Sequence, residues 1–121
     1  MKHHSKQKKL GRTKGQRKAL LCSLTEALVD HGQIKTTEAK AKALRPFVEK
    51  LITKSAEDNQ QTRRLITKRL NGRKATAAKL IEDIGPRFKK RPGGYTRIIK
   101  LPPRLSDSAT EAIIQFVDIN E

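Results

Sequence analysis

The chain has 121 residues, the size of one domain, and carries 28 Lys and Arg against 12 Asp and Glu, a formal charge of +16. Such a surplus repels itself in a compact body and persists where a polyanion neutralises it, so nucleic acid is the first candidate partner. A membrane partner is not expected: no apolar face accompanies the basic one, and no apolar run approaches the roughly 18 residues of a span.

In chain order, residues 1–18 hold eight basic residues and no acid, with Met1 and Leu10 as their only apolar side chains. Nothing there offsets the entropy of ordering a backbone. The expectation is a mobile basic N-terminal arm over 1–18, followed by a single globular domain over 19–121. From Ala19 to Val29, Leu21, Leu24 and Leu28 recur at helical spacing, and His31-Gly32 offers a stop. The apolar part of this segment is too short, and too soon interrupted by Thr25 and Glu26, to act as a signal peptide. Gln33 to Thr37 is short and β-branched, which predicts a strand.

Thr37 suits the N-cap of the next helix, with Glu38 in its first turn where the helix dipole favours an anion. Leu44, Phe47, Val48, Leu51 and Ile52 trace its apolar stripe, and Pro46 predicts a kink. Gln60 to Leu70 predicts a shorter helix on Leu65, Ile66 and Leu70, closed by Asn71-Gly72. Ala77, Leu80, Ile81 and Ile84 predict a fourth helix, stopped by Gly85-Pro86.

Residues 85–105 then hold seven basic residues and no acid. Pro92-Gly93-Gly94 is a turn, and Tyr95–Leu101 and Ala112–Ile119 read as an antiparallel strand pair. The expected fold is a two-layer α+β domain with about four helices on a small mixed or antiparallel sheet. The order is helix, strand, three helices, two strands.

Catalysis fails on inventory. Cys22, the single cysteine, has no partner at C-x-x-C spacing, and its place in an apolar helix favours a buried thiol. It forms no internal disulfide, which points to a reducing compartment, the cytoplasm. His3 and His4 have no neighbouring carboxylate or thiolate to complete a metal site, so no metal and no cofactor are expected. Gly11-Arg12-Thr13-Lys14-Gly15 has the wrong spacing for a phosphate loop. Glu57-Asp58 and Glu82-Asp83 are helix neighbours that point apart, a poor start for acid–base work.

What remains is binding. Four aromatics, Phe47, Phe88, Tyr95 and Phe116, are too few for a base-stacking platform, and Phe47 and Phe116 sit in core patterns. Recognition by shape and phosphate contact suits folded RNA. Gly93 and Gly94 lack Cβ atoms, so their amides can approach a phosphate backbone, flanked by Arg87, Lys89, Lys90, Arg91 and Arg97. Two alternatives stand beside this: a helix-turn-helix reader of duplex DNA built on the third and fourth helices, and a small nuclease using His3-His4.

Two stretches, IKTTEAKAKALRPFVEKLIT (Ile34 to Thr53) and RPGGYTRIIKL (Arg91 to Leu101), closely resemble the bacterial large-subunit ribosomal protein family numbered seventeen. GPRF (Gly85 to Phe88), AIIQFVD (Ala112 to Asp118) and the opening His3, Lys9-Leu10-Gly11-Arg12 and Arg17 fit the same pattern, so the resemblance spans essentially the whole chain. The chain departs from it at Gln16, where a histidine is usual, and at Cys22-Ser23 in place of Arg-Asn. Pro102 and Ser106 stand where glycine is commoner.

The resemblance implies a non-enzymatic structural constituent of the large ribosomal subunit, in the cytoplasm, near the exit of the nascent-peptide tunnel. Its implied partners are large-subunit ribosomal RNA and neighbouring large-subunit proteins, with no small-molecule substrate. The implied RNA contacts are Lys2, His3, Lys9, Arg12 and Arg17 in the arm, and Lys35, Thr36, Lys40 and Arg45 around the second motif. Arg87, Arg91, Gly93, Gly94, Tyr95 and Arg97 follow around the glycine turn.

Overall fold

The computed structural model describes residues 13–107 and 109–117. Its first helix, α1 (Lys14–His31), begins five residues before the expected start at Ala19, so residues 14–18 of the expected arm are helical. The cause is local. Thr13 Oγ1 accepts from the Gln16 amide at 3.2 Å, and Gln16 Oε1 accepts from the Thr13 amide at 3.2 Å, a reciprocal capping box. Gln16, one of the departures from the family pattern, is thus half of the device that starts the helix. Gly32 (φ 81°) ends it, donating to the Leu28 carbonyl at 2.7 Å.

The buried face of α1 is Cys22, Thr25, Leu28 and Val29, with Leu21 and Leu24 only partly covered. Thr25 tolerates full burial because its hydroxyl donates to the Leu21 carbonyl at 2.8 Å. Strand β1 (Gln33–Thr37) leads directly into α2 (Glu38–Lys54), capped by Thr37 Oγ1 accepting from the Lys40 amide at 3.3 Å. α2 runs through Pro46 as one helix. It packs against α1, α3 (Gln60–Arg69), the helical segment that follows α3, and all three strands, burying Ala41, Leu44, Val48, Leu51 and Ile52. Phe47, expected in the core, is only partly buried beside it.

The helical segment after α3 corrects a second expectation. α4 (Lys74–Lys79) passes into a π-helical turn, Leu80–Ile84, and then into α5 (Gly85–Arg87), so Gly85-Pro86 does not stop the helix. The Gly85 amide donates five residues back, to the Leu80 carbonyl. That wider turn makes room for the Pro86 ring, which in an α-helix would crowd the carbonyl four residues earlier. Gly85 is required for contact instead. A Cβ there would lie 2.6 Å from both the Ser55 carbonyl oxygen and its Oγ, so a side chain would push this segment off the end of α2.

β2 (Thr96–Lys100) and β3 (Glu111–Phe116) pair antiparallel as expected, each shorter than the apolar run that predicted it. β1 pairs antiparallel with the other edge of β3, giving the order β1-β3-β2 with the last strand at the centre. The register sends Ile34, Ile98, Ala112 and Ile114 to the helix-covered face. Lys35, Arg97, Ile99, Ile113 and Gln115 share the other. The result is the expected two-layer α+β fold, with an all-antiparallel sheet.

Candidate nucleic-acid interface

Lys2, His3, Lys9 and Arg12 lie outside the described residues. The remaining sequence-derived contacts divide into two groups rather than one site. At the β1–α2 junction, Lys35 is exposed on the outer sheet face and reaches Glu111 at 3.8 Å, while Thr36 and Lys40 are half-buried. Glu38 sits between Lys42 (2.9 Å) and Lys100 (3.8 Å), and the hydrogen bond from Lys42 holds its carboxyl below the usual carboxylate range.

The second group surrounds the glycine turn. Gly93 (φ 140°) and Gly94 (φ 63°) occupy backbone conformations that side chains resist, and the space where each Cβ would stand is open. Arg91 is exposed beside them, Arg87 reaches Asp83 at 3.6 Å, and Arg97 is half-buried on β2. Glu49 ties this turn to α2: its Oε2 accepts from the Thr96 amide (3.3 Å) and hydroxyl (3.0 Å), with Arg45 Nε at 3.6 Å.

Tyr95 is largely buried yet lines a groove beside the turn. The residue is 6% exposed, its ring is tilted 57° against Phe88 with centroids 5.4 Å apart, and its hydroxyl lies 3.1 Å from Thr53 Oγ1. Phe88, not Phe47, is the aromatic centre of the core, with the Phe116 ring also beside it at 6.2 Å. Thr53, beside this turn, lies about 20 Å along α2 from Lys40 at 1.5 Å per residue, while Lys35 and Arg97 share the outer face of the sheet. Arg17 stands apart from both, in the first turn of α1.

Electrostatics sharpen the picture. Every described carboxylate except Glu57 is in an ion pair. Yet among the described residues Lys14, Arg17, Lys18, Lys40, Lys50, Lys54, Arg64, Lys68, Arg69, Lys74, Lys89, Lys90 and Arg91 are in none. Most of these free cations lie on the C-terminal turns of α2 and α3 and on the segment before the glycine turn. Lys50, Lys54 and Arg69, which line the groove beside the glycine turn, are among those absent from the sequence-derived contacts. The i,i+4 spacing of Lys50 and Lys54 was visible in the chain, whereas Arg69 reaches them only through the packing of α3 on α2.

Little here resembles catalytic machinery. Burial pushes the Cys22 thiol up, away from the reactive thiolate, and its Sγ donates to the Arg69 carbonyl at 3.4 Å. No metal-holding cluster occurs among the described residues. No described helix is long and apolar enough to cross a membrane. In the helix-turn-helix alternative, the segment after the Asn71-Gly72 turn buries Thr76, Ala77, Leu80, Ile81 and Ile84. It leaves Glu82 and Asp83 exposed, carboxylates that duplex phosphates repel.

Residues 20–117 match the family described as ribosomal protein L17. The chain belongs to the ribosomal protein L17 family. It is 46% identical over 118 residues to large ribosomal subunit protein bL17 of Neorickettsia sennetsu, an alignment covering 97% of this chain and 100% of that one. It is 50% identical over 119 residues to bL17 of Persephonella marina, covering 98% and 96% of the two chains. Against bL17 of Salinibacter ruber it is 50% identical over all 121 residues, which make up 61% of that longer protein. Membership in the L17 family makes the protein a structural, non-enzymatic constituent of the large subunit of the cytoplasmic ribosome.

Proposed function

We propose that this L17-family protein binds folded large-subunit rRNA through phosphate contacts, beside neighbouring large-subunit proteins and near the nascent-peptide tunnel exit. The observation that carries RNA binding is the division of charge. Every described carboxylate but Glu57 is already paired, while Lys50, Lys54, Arg69, Lys89, Lys90 and Arg91, on and beside the glycine turn, are in no ion pair among the described residues. Exposed ion pairs contribute little to stability, so the free cations are not explained by folding. They neutralise closely spaced phosphates, which lets RNA segments approach one another.

In this reading the basic N-terminal segment supplies Lys2, His3, Lys9 and Arg12, and the body begins with α1, which adds Arg17 from its first turn. Lys35, Thr36 and Lys40 contact the RNA at the β1–α2 junction. Arg45, Arg87, Arg91, Gly93, Gly94, Tyr95 and Arg97 contact it around the glycine turn, with Tyr95 at the groove beside the turn. The tunnel-exit location rests on family membership.

Titration of the purified chain with large-subunit rRNA at several salt concentrations tests RNA binding. With six to ten phosphate contacts, affinity is expected to fall by about 10³–10⁵ between 50 and 200 mM salt. Salt-independent binding, or equal competition by duplex DNA, would overturn the proposal.

A further inference from the structure

Beside the glycine turn, α2 and α3 enclose an open groove of about 580 Å³ lined by Glu49, Lys50, Lys54, Arg69, Gly93 and Tyr95. A second hollow of about 210 Å³ adjoins it and shares Lys50 and Arg69. We infer that this groove seats a stretch of RNA backbone, with Lys50, Lys54 and Arg69 at its phosphates. The inference rests on the reading that the partner is RNA and adds Lys50, Lys54 and Arg69 to the contacts the family pattern implies.

Three observations carry it. Lys50 and Lys54 stand one turn apart on α2, and Arg69 lies at the end of α3, so positive charge lines both walls. None of the three is in an ion pair among the described residues. The one carboxylate in the groove, Glu49, is already engaged by Thr96 and Arg45 through the same oxygen.

The groove mouth passes Gly93, where no atom lies within 4 Å of the missing Cβ and backbone can approach closely. A competing explanation is that cations at helix C-termini complement the helix dipole. That covers Lys54 and Arg69, in the last turns of α2 and α3, but not Lys50, a turn further from the end. An extended, open groove with charge on both walls suits a continuous polyanion better than a small ion.

The test compares two full-length triple variants that each lose three charges from the formal +16, so long-range attraction is matched. One is K50Q/K54Q/R69Q in the groove. The other is R64Q/K68Q/K74Q, three unpaired cations along a different hollow on α3 and the start of α4. Filter binding to large-subunit rRNA across 100–300 mM KCl is expected to show the groove variant at least about tenfold weaker, its salt slope shallower by about 2–3. The control variant should lose less than about threefold.

A charge-retaining K50R/K54R/R69K variant should restore the slope, which separates lost phosphate contacts from misfolding. If the parent binds rRNA and the groove variant keeps its slope, or both glutamine variants weaken equally, the groove inference fails alone. A parent chain without salt-dependent rRNA binding overturns the RNA reading and the groove with it.

Discussion

Gly85 is where α2 and the π-containing helical segment come closest, and its hydrogen is the only substituent that fits. A methyl group would meet the Ser55 carbonyl oxygen and hydroxyl at 2.6 Å and the Leu80 carbonyl oxygen at 3.0 Å. Gly85→Ala is therefore expected to destabilise the fold by about 1–3 kcal/mol, the range for forcing extra volume into a packed interior. Urea unfolding would show it as a lower midpoint at unchanged slope; an unchanged midpoint would mean that the Ser55 end of α2 yields freely. In the bare sequence Gly85-Pro86 looks like a helix stop, because both residues are poor helix formers. That preference lost to a contact with a residue thirty positions earlier.

At the scale of elements, α1 shows a start signal that was present and outweighed. Thr13-Lys14-Gly15-Gln16 has the spacing of a capping box, yet Gly15 costs a helix about 1 kcal/mol relative to alanine, and the surrounding cations suggest an arm. The box prevails because it satisfies two amides at once. Thr13→Ala should cost about 1 kcal/mol and lower the thermal midpoint, with the helix shortened toward Ala19 in amide-exchange measurements. Full retention of protection at residues 17–19 would show that packing, not the cap, holds the first turn. The caps at Thr37 and Gly32 were legible for the same reason: each acts on amides or carbonyls within four residues.

At the scale of the molecule, one core cluster joins the helices to the sheet. It reaches from Leu28 on α1 through α2 to Ile114 on β3. A single core with α2 against nearly every other element predicts cooperative unfolding. Tyr95 is the sole tyrosine and the chain has no tryptophan, so its fluorescence reports on the junction of β2 with α2. Tyrosine emission and far-UV circular dichroism should follow the same urea curve. Separate transitions would divide the sheet from the helices.

The sequence alone determined where the main helices and strands lie, the antiparallel pairing of β2 with β3 and the net charge, though not the start of α1 or the path through Gly85-Pro86. These follow from patterns a few residues long or from simple sums. Only the tertiary structure decided that β3 is the central strand, that Phe88 and Tyr95 share the core, and which cations escape a carboxylate. The physical reason is common to all three. Each depends on groups that meet across tens of residues, such as Ile34 beside Ile114, Thr53 against Tyr95, and Arg69 beside Lys50. Local propensity carries no information about such meetings; only packing of the whole chain brings them about.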